Sequence, residues 1–412
     1  MKNPLLVIIG YVWPEPGSSA AGRHMMEIIQ VLQSAHWRIV FATPAADSPY
    51  KADLNALNIP QQSIELNSDS FDEWICRLSP DAVLFDRFMM EEQFGWRVAR
   101  SCPDAMRILD TEDLHFLRQG REAVVRQKKS VDDGYLDNDI ALREIASIYR
   151  SDLSLIISAR EMQLLKQDFK IPDELLQYFP FLPEQPPGSL PGFNGRKDFL
   201  FIGTARHAPN LDAIRYLKTT LWPAIRKQLP ASCLNIVGSY PTKEISQMHK
   251  PETGFNVLGH VENIQPLLES SRVFLAPLRF GAGLKGKLIE AMQWGIPSVT
   301  TATGAEGIAS ADAWPGAVVD NDAAFISAAV EIHVSESRWK QAQKTGLDLL
   351  GQRFDATEHS RKLSESISGI LQQLPKHRAN NFTGRMLLYH SMRSTEFMSR
   401  WIECKNRKSS TN

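Results

Sequence analysis

The chain has 412 residues, 43% hydrophobic and 23% charged, with a formal net charge of −1. This is too long for one ordinary core, so two domains are expected. The balanced charge excludes a dedicated nucleic-acid binder, which carries a basic excess or stripe. The first apolar run, LLVIIG (5–10), is short and soon meets Pro14 and Glu15. It reads as a strand, not as a signal peptide, and a cytoplasmic location is expected. Further strands are expected at 37–43, 82–86, 106–111 and 153–158. After a Pro- and Gly-rich stretch, LPEQPPGSLPGFNG (182–195), they resume at 199–203, 234–238, 255–259, 273–278, 297–301 and 317–320. Helix-length segments separate these runs, the pattern of parallel sheets with helical crossovers.

The expected organisation is a first domain over 1–182, a linker over 183–196, a second domain over 197–375, and a C-terminal helix and polar tail over 376–412. Helices are expected at 322–333, 336–350, 355–373 and 386–401, with KHRANNFTGR as a break before the last. Cys76, Cys102, Cys233 and Cys404 lack paired spacing, the mark of reduced thiols without a metal site. No apolar run approaches the ~20 residues of a membrane span.

The richest stretch runs from Pro277 to Gly307. Strand, glycine turn and helix succeed one another, with Arg279, Gly281, Gly283, Lys285 and Lys287 in the turn and Glu290 early in the helix. Glycines admit close backbone approach, helix-start N–H groups attract anions, and the cations suit a diphosphate. A carboxylate at Glu290 suits a ribose diol. The bland alternative is two solvated lysines and an acid that favours the helix start. Upstream, FIGTARHAPN places Gly203, Arg206 and His207 before a helix capped at Asn210, and IVGSYP places Gly238 after the next strand. TGAEG (303–307) offers Glu306 in a tight turn, as a sugar contact or as a plain turn acid.

In the first domain, Gly17 and Ser18 precede a helix that carries Arg23, without the Gly-x-Gly-x-x-Gly fingerprint. The strand RILDT delivers Asp110, Glu112, Asp113 and His115 to its carboxyl end, followed by Arg118 and Arg121. Asp113 as a helix cap is the structural alternative. The spacing is not a metal motif.

Glu290-Ala291-Met292 followed by Gly295 and Pro297 resembles the donor-binding signature of the retaining family 4 glycosyltransferases of GT-B architecture. That family commonly has a further glutamate eight positions earlier, where this chain has Ala282. The resemblance implies an α/β fold of two Rossmann-like, doubly wound parallel-sheet domains facing a central cleft, with a C-terminal helix, 355–373 or 386–401, that crosses back to the first domain. It implies transfer of a sugar from a nucleotide-sugar donor to the hydroxyl of a glycan or lipid-linked acceptor, as in polysaccharide biosynthesis, with retention. No cofactor or metal would be needed. Asp113, His115 and Glu306 would be catalytic, with Glu112 at the family's usual histidine position. Gly203, Arg206, His207, Gly238, Arg279, Gly281, Gly283, Lys285, Lys287 and Glu290 would hold the donor. Gly17, Ser18, Arg23, Asp110 and Glu112 would border the acceptor. Ala282 leaves room for two rivals, a non-catalytic glycosyltransferase-like subunit and a nucleotide-sugar epimerase. Lys376, His377, Arg378, Arg385, Lys405, Arg407 and Lys408 are spread over more than thirty positions. A solvated face is expected there, with at most weak peripheral contact at an anionic membrane.

Overall fold

The computed structural model describes residues 3–127 and 136–409. The first sheet comprises β1 (Leu5–Ile9), β2 (Arg38–Thr43), β3 (Gln61–Ser63), β4 (Ala82–Asp86), β5 (Met106–Asp110), β6 (Leu153–Ile156) and β7 (Leu176–Tyr178). Its order is β3-β2-β1-β4-β5-β6-β7. The second comprises β8 (Asp198–Ile202), β9 (Leu234–Val237), β10 (Phe255–Gly259), β11 (Ser271–Ala276), β12 (Ser298–Thr300) and β13 (Gly316–Val318), ordered β10-β9-β8-β11-β12-β13. The pairings within both sheets are parallel.

Central strands such as β1 and β4 are buried along their whole length, which is why they read as unbroken apolar runs. β3 and β7 were not expected. Each is a three-residue edge strand, and Gln61-Gln62-Ser63 has no apolar residue to mark it. The strand order reverses between β1 and β4 and again between β8 and β11. Ligand crevices of open α/β sheets lie at such points, outside the carboxyl ends of the strands.

The helix Ala20–Ser34 follows β1. Ser19 caps it, with its hydroxyl accepting from the Gly22 N–H at 3.0 Å. Met25, Ile28, Ile29 and Leu32 are buried in the first domain's core beside Leu6 and Ile8. At the far end of the linker, Arg196 is fully buried and donates to the carbonyls of Pro191, Leu268, Ser271 and Trp294. These bonds fix where the chain enters the second domain.

The chain returns to the first domain earlier than the expected boundary at residue 375. Asp355 caps the helix Ala356–Gln372, accepting from Thr357 N at 2.8 Å and Glu358 N at 3.2 Å. Leu363 and Ile367 of that helix are buried among Leu6, Ile8 and Ile28. Each contributes about 1.5–3 kcal/mol by leaving water. The expected break over KHRANNFTGR narrows to Asn381, between helices Leu374–Asn380 and Phe382–Ser409. Its side chain accepts from Gly384 N at 2.8 Å and donates to Tyr149 O at 2.8 Å. Phe382–Ser409 also packs on the first domain, against helices Phe88–Ser101 and Asp139–Arg150. Both late helices therefore cross.

Candidate active site

β11 ends at Ala276, and the glycine turn behind it leads into the helix Gly286–Gln293. Gly281 (φ 154°) and Gly283 (φ 65°) take backbone conformations that a side chain would strain. The turn folds over Lys285, whose Nζ donates to Gly283 O at 2.7 Å and Ala282 O at 3.1 Å. Burial lowers its pKa to about 8, against the pull of Glu306 and Glu161. Lys287 donates to Asn210 Oδ1 and lies 4.7 Å over the Phe201 ring. Burial and then the Lys285 charge lower its pKa to about 7. A Cβ on Gly203 would stand 2.9 Å from Lys287 Nζ, and one on Gly238 would stand 2.2 Å from Gly203 O. Gly203, Gly238, Lys285 and Lys287 thus form one compact wall. Asn210 is part of it through Lys287 and Thr204 O, and His207 precedes the helix Ala208–Tyr216 in the cap position.

The first domain closes against this wall. A Cβ on Gly283 would lie 2.8 Å from the Asp113 Cβ. Burial pushes the Asp113 carboxyl up, but its pair with Arg118, with the field of His115, holds it well below the usual carboxylate range. His207 is open to water at its edge yet enclosed between the domains. That enclosure, with Arg118, Lys287 and Lys285 nearby, keeps its ring neutral, against the opposing pull of Asp113. Arg121 forks onto Glu306 at 2.6 and 2.8 Å and also donates to Gly281 O at 2.8 Å. Burial raises the Glu306 pKa, and the Arg121 bonds more than reverse this. Arg23 donates to Glu290 at 3.2 Å, and the Ser239 hydroxyl donates to that of Ser18 at 3.0 Å.

One residue of this interface had no place in the sequence analysis. Glu161, on the helix Ala159–Gln167, accepts from the Gly283 N–H at 2.6 Å and from the Leu114 N–H at 3.3 Å. Burial, then the Asp113 charge, pushes its pKa up to about 8. Its partners lie 47 and 122 positions away in sequence, so no local pattern pointed to it.

Other expected residues stand elsewhere. Arg279 is exposed and forks onto Asp212, with its guanidinium 5.0 Å from the Tyr216 ring, so it does not join Lys285 and Lys287. His115 sits at the start of helix His115–Gln127. Its N–H donates to Glu144 at 3.1 Å, and its ring meets Phe88 and the Asp113 carbonyl. These contacts are those of a packed helix start. Arg206 stacks on Tyr240, 3.6 Å from the ring centre, at the rim. Gly17 has open space around it, beside Ser18.

Asp110 and Glu112 lie beneath the cleft, not on its wall. Among the described residues, they and His24 bring potential ligand atoms within 4.8 Å of one another. His24 Nε2 faces Phe179 O at 3.2 Å, and burial lowers its pKa to about 4, so it stays neutral. Burial and the nearby Asp86 push Asp110 up to about 7, and burial with Asp110 raises Glu112 well above the carboxylate range. His24 Nδ1 and Asp110 Oδ2, 3.9 Å apart, are both buried without a hydrogen-bond partner.

Residues 196–334 match the family described as Glycosyl transferases group 1. No curated protein sequence matches the chain. Sucrose-phosphate synthase from Thermosynechococcus elongatus is similar in structure, with a TM-score of 0.66 at 14% identity over 90% of this chain and 100% of that one. HepE of Anabaena, in complex with UDP and glucose, gives 0.64 at 13% identity over 89% and 100%. WaaG, a glycosyltransferase involved in lipopolysaccharide biosynthesis, gives 0.56 at 13% identity over 89% and 100%. Two parallel-sheet domains facing across this cleft define a GT-B fold. Over residues 196–334 the second domain is of the group 1 glycosyltransferase kind, and the whole chain has the GT-B fold.

Proposed function

We propose that the protein moves a sugar from a nucleoside-diphosphate donor to the hydroxyl of a glycan or lipid-linked acceptor, with retention and without a metal. The observation that carries this is the packing of Asp113 directly against the Gly281–Lys287 turn of the other domain. Lys285, Lys287 and the N–H groups at the start of helix Gly286–Gln293 form the pole for a diphosphate. They stabilise its charge as the sugar–phosphate bond breaks. The acceptor oxygen bonds to the same face of the sugar carbon, and its proton passes to the leaving phosphate oxygen. Asp113, kept ionised by Arg118, is suited to stabilise positive charge at that carbon and not to donate a proton. Glu290, which accepts from Arg23 across the cleft, would take the ribose diol. HepE, similar in fold, is in complex with UDP and glucose, which supports a nucleotide-sugar donor.

Ala282 favours one rival, a non-catalytic subunit. It packs in the first domain's apolar cluster where the resembled family has an acid. The test is a thermal-shift panel of UDP, GDP, ADP, dTDP and CDP, followed by an assay for nucleotide release from the matching sugar donor. One nucleotide at a hundredfold excess over its Kd should stabilise the protein by about 2.7 kcal/mol, and its sugar should be turned over. Stabilisation without turnover by any acceptor class would favour the subunit. Turnover should survive excess EDTA, and loss that magnesium restores would overturn metal independence.

A further inference from the structure

The last helix, Phe382–Ser409, shows water its most apolar side. Phe382 is 70% exposed, Tyr389 57%, Phe397 65% and Trp401 60%, with Met386 and Met398 exposed beside them. Phe382, Met386, Tyr389, Arg393, Phe397 and Arg400 succeed one another in steps of three or four, so they form one stripe about 27 Å long. The side that packs on the first domain buries Met392 and half-buries Leu387 and Leu388 among polar contacts. Ser399 is buried against Arg97 at 3.0 Å, and Ser391 accepts from Arg150 at 3.2 Å.

Charge follows the same division. The two acids of this helix are engaged at its base, Glu396 with Arg100 and Arg400, and Glu403 with the Asp69 N–H at 2.8 Å. Arg385, Arg393, Arg400 and Lys405 are all exposed, and of these Arg400 is paired with Glu396, so the outward face keeps a positive excess beside its aromatic residues. Arg393 lies 4.3 Å from the Tyr389 ring and Lys405 lies 5.3 Å from the Trp401 ring. Leu142, 70% exposed on helix Asp139–Arg150, extends the apolar surface beside a groove lined by Ile145, Tyr149, Phe169, Thr383 and Leu387. Such a stripe is a poor surface for a second copy of itself, since like charges would meet. His377 and Arg378, which seemed from the sequence to belong to this basic surface, instead hold Asp152 from within.

We propose that this face docks the first domain on an anionic lipid bilayer. The aromatic and methionine side chains enter the headgroup boundary while the arginines and lysine meet lipid phosphates. The inference stands apart from the transfer reaction, and its test reads no activity. The full chain is sedimented with vesicles of phosphatidylcholine and phosphatidylglycerol in equal parts, and with phosphatidylcholine alone. Binding is expected on the anionic vesicles only, weakening as salt rises. Phe397→Ala with Trp401→Ala should lower partitioning about tenfold, and Arg393→Glu with Arg400→Glu should abolish it. These residues are exposed, so the thermal midpoint should hold in both variants. Equal partitioning of wild type and variants, or of the two vesicle types, overturns the proposal. So does a concentration-dependent dimer, or a stable complex with a protein, that the aromatic substitutions dissolve without any vesicle binding by wild type.

Discussion

Asp113 and Gly283 meet face to face across the cleft, with no room for a methyl group on the glycine: its Cβ would come within 2.8 Å of the Asp113 Cβ. Gly283 also has φ 65°, where an L side chain costs roughly 1 kcal/mol or more. Gly283→Ala should therefore push the donor turn off the first domain. Turnover should fall at least about tenfold, equivalent to ~1.4 kcal/mol of transition-state stabilisation. Steady-state kinetics check this, and a wild-type rate would show that closure is not needed.

Arg121 and Glu306 form the charged counterpart of that contact, each about one-fifth exposed. Because the pair is forked and spans the domains, the two residues should act as a unit. A double-mutant cycle on kcat/KM with Arg121→Ala and Glu306→Ala should give a coupling of about 1–2 kcal/mol. Additive losses would mean that Glu306 works alone.

Much of this arrangement was legible in the sequence, and the parts that were not share a cause. The apolar runs located the buried central strands, because burial on both faces leaves no polar alternation to confuse them. β3 escaped notice because its residues are polar and few. The glycine turn with Lys285 and Lys287 was recognisable because its chemistry is contiguous. Glu161 was invisible because its role depends on chain segments brought together only by folding. Arg279 misled for the converse reason: nearness in sequence to Lys285 placed it with the lysines, whereas Asp212 draws it to the outer surface.

Nucleotide binding should take up protons above neutral pH. In the free protein burial holds Lys287 near 7 and Lys285 near 8, and a bound diphosphate favours their charged forms. Affinity is then complete below pH ~7 and declines as pH rises through these values toward the higher bound-state pKa values. Calorimetry at pH 8 in two buffers of different ionisation enthalpy should show uptake. Lys285→Ala should weaken binding by on the order of 1.5–3 kcal/mol. Buffer-independent heats would place the diphosphate away from both lysines.

Asp110 should limit stability at alkaline pH. Its folded pKa of about 7 lies above the ordinary aspartate value of 3.8, so the folded state holds a proton that the unfolded state has released. Stability from this group is present below pH ~4 and is lost as pH rises toward 7. Asp110→Asn should gain stability relative to wild type by on the order of 1–3 kcal/mol between pH 5 and pH 8. Thermal unfolding at both pH values decides it, and a variant destabilised equally at both would require an ionised Asp110.

Catalysis across the cleft is tested most directly by Asp113→Asn, with turnover and nucleotide affinity measured on the same preparation. Asp113 acts on charge that develops at the reacting carbon, while the lysine wall of the other domain holds the nucleotide. Turnover should fall by about a hundredfold or more, with nucleotide affinity within about twofold of wild type. His115→Ala, which alters a packed helix start, should change turnover far less at a temperature where it stays folded. Wild-type turnover in Asp113→Asn would contradict a site assembled from both domains.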